Sequence, residues 1–173
     1  VTLFSELGGV FSMALISLVG LVVVVVDAFR NDHPSLPWIS AAAMGGAIGW
    51  ELTVLGDPAG TALFEAVRVG GYAAFVNLII LISGLLTIVL SVPYLDRMKR
   101  AYGEVYALLL FATAGMLMLG TANTLVSVFV GLETMSICLY IMTGLAREDE
   151  GSIESALKYF LLGAFSTGFF LYG

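Results

Sequence analysis

The sequence predicts an all-α protein, a polytopic transmembrane bundle of about six spans with its N-terminus outside. Three observations predict it. Of 173 residues, 60% are hydrophobic and 12% charged, and the mean hydropathy is +1.02. A soluble domain carries about 25% charge, so too little is left here to cover a water-facing surface. The apolar residues also fall in runs close to the ~20 residues that a spanning helix needs. Short stretches rich in charge, Gly or Pro separate those runs.

The first run covers residues 7–28 and ends at Asp27, Arg30, Asn31, Asp32 and His33, with Pro34 and Pro37 beyond. It lacks the basic start and the small-residue cleavage site of a signal peptide. The second, residues 38–55, carries Ala41, Gly45, Gly46 and Gly49, small residues that let a neighbouring helix come close. After a loop over 56–68, the third run spans 69–92 and is expected to stop at Pro93 and the cluster Asp96, Arg97, Lys99 and Arg100. The fourth covers 104–119, the fifth 124–145 and the sixth 152 onward. Alternating spans put Arg30, Arg97, Lys99, Arg100 and Arg147 on one side and only Arg68 on the other. The positive-inside rule then places the basic loops in the cytoplasm. Trp38, Tyr94, Tyr102 and Tyr106 sit where interfacial aromatic belts are expected.

The net charge of −6 and the absence of a basic patch exclude nucleic acid as a partner. A single cysteine, Cys138, forms no internal disulfide framework, and no Cys/His spacing fits zinc or an iron–sulfur centre. Nucleotide-binding glycine motifs and nucleophile elbows are missing too. Any redox chemistry therefore belongs to other chains.

Ionisable groups in hydrocarbon cost several kcal/mol unless they face protein or water, so the few that lie there carry the functional signal. Glu133 lies nine residues past Thr124, about 14 Å along the fifth helix at 1.5 Å per residue. Ser136, Tyr140 and Thr143 continue one polar stripe with it, and that stripe should face other helices. The stripe suits either interhelical bonding or a proton site. Lys158 sits about 9 Å into the sixth helix from Ser152, with Glu154 four residues before it in the favourable order for a helical ion pair. Ser155, Leu162 and Ser166 share its face. Glu51 and Glu104 read as interfacial residues, His33 as solvated, and Met116, Met118, Met135 and Met142 as packing.

Three stretches are more specific than hydrophobicity: GEVYALLLFATAGMLML (103–119), TANTLVSVFVGLETMSICLYIMTGL (121–145) and ESALKYFLLGAFSTGFFLYG (154–173). Together they resemble the antiporter-like membrane subunits of respiratory complex I, the proton-pumping NADH:quinone oxidoreductase, and within that family the subunit N group. The resemblance implies that Glu133 is an essential element of a proton channel and that Lys158 belongs to the same charged constellation. It implies partners among the other membrane subunits of the complex and the lipid bilayer. NADH, FMN, iron–sulfur clusters and quinone would all sit on partner subunits. It further implies a multi-pass protein of a bacterial cytoplasmic membrane. Members have about fourteen helices, so residues 1–173 would be an N-terminal six-helix portion at ~20 residues per span. Cys138 stands where the family commonly has proline. Were Lys158 about 8 Å from Glu133, their interaction would be roughly 2 kcal/mol at an effective dielectric of ~20, enough to shift proton affinity more than tenfold. Subunits of multi-subunit cation/proton antiporters and membrane-bound hydrogenases share these motifs, and a purely structural membrane subunit is the remaining alternative.

Overall fold

A computed structural model of the protein describes residues 10–29, 35–97, 103–146 and 148–173. Among the described residues six helices form along the six apolar runs: α1 (Phe11–Phe29), α2 (Leu36–Val54), α3 (Gly71–Arg97), α4 (Gly103–Thr121), α5 (Leu125–Thr143) and α6 (Glu150–Tyr172). Arg30, His33, Lys99, Arg100, Tyr102 and Arg147 lie outside the described residues. Four helices, α1, α3, α4 and α5, are both long and apolar enough to cross a membrane. At 19 and 23 residues α2 and α6 have the length, but glycine, serine and tryptophan dilute the first and Glu150, Glu154 and Lys158 the second.

Two boundaries differ from the sequence expectation. Pro93 does not end α3, which continues to Arg97. Proline removes one N–H and leaves the Val89 carbonyl without its intrahelical donor, but near a helix end other donors can replace it. The stretch expected as plain loop contains an antiparallel hairpin, β1 (Gly60–Ala62) and β2 (Val67–Val69). The Ala66 amide donates to the Leu63 carbonyl across its tip (3.1 Å). Phe64 and Glu65 take φ of 55° and 66°, the positive values of a hairpin turn that glycine and asparagine usually supply. Gly70, at φ +106°, lets α3 start beside the Pro58 carbonyl, where a Cβ would fall 2.6 Å from that oxygen.

Helix α4 is the centre of the bundle. It packs on α1, α2, α3 and α5, and half of its most apolar window is buried. Leu110, Leu117, Ala107 and Ala114 meet Ile16, Val23, Met44, Leu81 and Ile88 from the other helices in one core. Tyr106 belongs to that core as well, rather than to an interfacial belt. Helix α1 ends beside the start of α4, where the half-buried Asp27 carboxylate sits against Gly103. A negative charge there suits the positive end of the α4 dipole.

The tightest helix crossing is not on α2. No atom lies within 4 Å of the Cβ positions of Gly45 and Gly49, so these glycines do not mediate close approach. They occupy the exposed side of α2, while Ser40, Met44, Ala47 and Glu51 form its buried side. Close approach occurs instead between α4 and α5, where a Cβ on Gly115 would lie 2.6 Å from the Met135 nitrogen and one on Gly131 2.7 Å from the Leu119 nitrogen. Because lipid tails remove the hydrophobic drive between helices, such backbone contact supplies the dispersion that holds them. Gly115→Ala or Gly131→Ala should therefore destabilise the bundle by about 1–3 kcal/mol through overpacking. Gly45→Ala and Gly49→Ala should be neutral or stabilising. Thermal melts of the four variants in detergent check this, and equal losses across all four would contradict it.

Candidate functional site

Helix α5 is held in place from both ends. Thr124 caps it: its hydroxyl accepts from the Ser127 amide (3.2 Å), and the Ser127 hydroxyl accepts from the Thr124 amide (3.1 Å). The same Ser127 hydroxyl donates to the Ala66 carbonyl in the hairpin (2.6 Å). Asn123 strengthens that junction, its backbone amide donating to Ala66 O (2.9 Å) and its side-chain amide to Glu65 O (2.8 Å). Arg68 in turn donates to Asn123 Oδ1 (3.1 Å). At the other end, the Ser152 hydroxyl of α6 donates to the Thr143 carbonyl (2.6 Å).

Gly131 and Met135 of α5 meet the α4 backbone at Gly115 and Leu119. At ~100° per residue, Glu133, Ser136 and Tyr140 fall on the opposite side. That side faces α6: the Tyr140 ring packs edge-on against Tyr159 (4.7 Å between centroids) and Phe160 (5.9 Å), and its hydroxyl occupies the space over Gly163. Of the polar stripe expected to face other helices, Tyr140 packs on α6, Ser136 is half-buried and Thr143 is exposed. Glu133 is half-buried within it. Its Oε1 is sealed from solvent and has no hydrogen-bond partner, a state costing about 1–3 kcal/mol for a buried polar group.

Lys158 is placed differently. It forms an ion pair with Glu154 one turn earlier, and both side chains are about two-thirds exposed, at 68% and 65%. The half-buried stripe of α6 consists of Ser152, Ala156, Gly163 and Thr167, and Lys158 lies on the far side of the helix from it. The antiparallel register follows from Gly144 opposite Ala156 and Tyr140 opposite Gly163. It sets Glu133 and Lys158 roughly 14 Å apart along the bundle axis at 1.5 Å per residue. The structure therefore does not bring the two together as a contacting pair. Ser155, Leu162 and Ser166, on the Lys158 face, are exposed as well.

Two other acidic residues complete the inventory. Glu104 is exposed in the first turn of α4. Glu51, expected at an interface, is instead 4% exposed and accepts a hydrogen bond from Asn77 Nδ2 (3.0 Å). One signal in the sequence pointed there: Glu51 continues the i, i+4 series Ser40, Met44, Ala47 on α2. A groove of about 740 Å³ opens at the opposite end of the bundle between α3, α4, α5 and α6, with Ser91, Tyr94, Arg97, Thr143, Asp149 and Ser152 on its walls. Glu133 does not line it. Among the described residues no cluster of three or more His, Cys, Asp or Glu side chains could hold a metal, and Cys138 is a buried free thiol.

Residues 122–173, which include Glu133 and Lys158, match the family described as NADH:quinone oxidoreductase/Mrp antiporter, TM. The chain is 62% identical over 172 residues to NADH-quinone oxidoreductase subunit N of Salinibacter ruber, covering 99% of this chain and 34% of that protein. The chain belongs to this family of membrane subunits. Membership extends to NAD(P)H-quinone oxidoreductase subunit 2 of Thermosynechococcus vestitus, 34% identical over 177 residues, covering 100% of this chain and 34% of the relative. The fold is similar to a chain in the structure of respiratory complex I from Thermus thermophilus with bound aureothin, with a TM-score of 0.76 and 26% identity over 93% of this chain and 35% of that one. The chain spans about a third of the length of the curated relatives it matches.

Because Gly163 seats the Tyr140 ring, Gly163→Ala should push Tyr140 aside and loosen α6 from α5. Gly168→Ala, with nothing near its Cβ, should not. Disulfide trapping between Gly144→Cys and Ala156→Cys reads the helix pairing: slower trapping is expected in the Gly163→Ala background only.

Proposed function

We propose that this chain is the N-terminal six-helix portion of a proton-translocating subunit of NADH:quinone oxidoreductase, in which Glu133 is a proton-carrying group and Lys158 modulates it. The observation that carries this reading is the state of Glu133. A half-buried carboxyl, with one oxygen sealed and unpartnered, lies midway along an otherwise uncharged helix that backbone contact and a capping box hold in place. Mid-membrane carboxylates kept at such cost mark ion and proton pathways. The relatives bear the names of quinone oxidoreductase subunits, which favours this assignment over antiporter or hydrogenase. Electron transfer and quinone reduction belong to partner subunits, whose NADH, FMN and iron–sulfur groups supply the driving energy.

All six helices cross a bacterial cytoplasmic membrane in this reading. The hairpin end, with Arg68, faces outward, and the end bearing Arg97 faces the cytoplasm under the positive-inside rule. Helices α2 and α6 cross by covering their weaker faces with protein rather than lipid.

Distance ranks the two charged residues. At ~14 Å and an effective dielectric of ~20, Lys158 alters the energy of a charge on Glu133 by only about 1 kcal/mol. Glu133→Ala and Glu133→Gln in the assembled complex should therefore cut proton pumping at least tenfold while quinone binding survives. Lys158→Met should have a severalfold smaller effect. Proton uptake per quinone reduced, measured in proteoliposomes, checks both. Unchanged stoichiometry in normally assembled Glu133→Gln complex would refute the proposal.

A further inference from the structure

The polar cluster at the hairpin end of α1, α2 and α3 takes no part in the proposal above. Glu51 (α2), Asn77 (α3) and Ser12 (α1) are 4%, 7% and 2% exposed. Asn77 Nδ2 donates to Glu51 Oε1 (3.0 Å). The Ser12 hydroxyl faces the same carboxyl without a completed hydrogen bond, and Asn77 Oδ1 is likewise buried and unpartnered. The buried carboxyl group thus has only an amide and a hydroxyl as partners among the described residues.

The charged and titratable groups on every packed element lie elsewhere. On α1 the described ionisable residue is Asp27, about 22 Å along the helix from Ser12 at 1.5 Å per residue. Helix α3 has Tyr72 exposed near its start and Tyr94, Asp96 and Arg97 at its far end. Glu104 and Tyr106 sit at the far end of α4. In the hairpin, Glu65 is at the tip and Arg68 is engaged by Asn123, while Asp57 follows the end of α2 in the adjoining loop. The groups recorded at the carboxyl, Asn77 and Ser12, are neutral. A buried carboxylate without a cation is disfavoured far more than a carboxylic acid that can donate.

We infer that Glu51, Asn77 and Ser12 form a second proton-binding site, in which Glu51 is a carboxylic acid that donates its O–H to Ser12 Oγ and accepts from the Asn77 amide. Adding the proton removes a buried charge that has no cation beside it and leaves a neutral network. The network ties α1, α2 and α3 together, apart from Glu133 on α5. An Asn77 amide turned the other way would present Oδ1 to the carboxyl, an arrangement that only the protonated acid satisfies.

Infrared difference spectroscopy on the full-length protein, purified with its native assembly near neutral pH, tests the site. Wild type minus Glu51→Gln should show loss of a carboxylic-acid C=O band that shifts on transfer to D2O. Loss of carboxylate bands instead would overturn the inference. Ser12→Ala, which removes the acceptor and keeps the acid, guards against a Glu51→Gln protein that fails to assemble: the same acid band should move in frequency, and an unmoved band would also overturn it. Neither readout depends on proton pumping, so failure here is separable from failure at Glu133.

Discussion

Backbone contact between α4 and α5 at Gly115 and Gly131 orients everything else in the functional half of the bundle. Two helices that meet without intervening side chains have one rotational setting, because turning either brings a Cβ into the other's backbone. With Gly131 and Met135 committed to α4, the stripe of Glu133, Ser136 and Tyr140 points away from it, to the side that α6 occupies. The hairpin then fixes α5 along its axis, since Ser127 is both a cap residue and a bond to Ala66. Rotation and depth of the glutamate are thus set by contacts that involve no charge.

Lys158, Glu51 and Glu133, three of the ionisable side chains inside helices, are accommodated in three ways. Lys158 is neutralised by Glu154 on its own helix, a local solution needing no neighbour. Glu51 is surrounded by amide and hydroxyl groups. Glu133 has neither arrangement at Oε1. At about 1–3 kcal/mol, that deficit is a large share of the stability of an ordinary domain. Under the proposed function it is that deficit, rather than the salt bridge, that marks the proton-carrying group.

The hairpin shows the same trade at backbone level. Phe64 and Glu65 adopt left-handed φ without being glycine or asparagine, at a cost on the order of 1 kcal/mol each. Bonds from Asn123 and Ser127 to the Glu65 and Ala66 carbonyls hold that turn against the junction of α4 and α5. A strained turn is kept where it joins two helices at a defined separation.

The sequence by itself determined the helices, their order, the family and the place of a glutamate midway along the fifth of them. Run length, charge in loops and the GLE and LKY motifs are local properties of the chain, and lipid allows an apolar run few alternatives to helix. Tertiary structure alone decided which glycines make contact, that Pro93 lies within α3, that residues 60–69 pair as strands, that Tyr106 and Glu51 are buried, and that Lys158 turns away from Glu133. The glycine contacts, the burial of Tyr106 and Glu51 and the direction of Lys158 all depend on the rotation of one helix against another. In a chain this apolar, periodicity scarcely distinguishes a face toward lipid from a face toward protein, so the pattern that orients helices in water is nearly silent here.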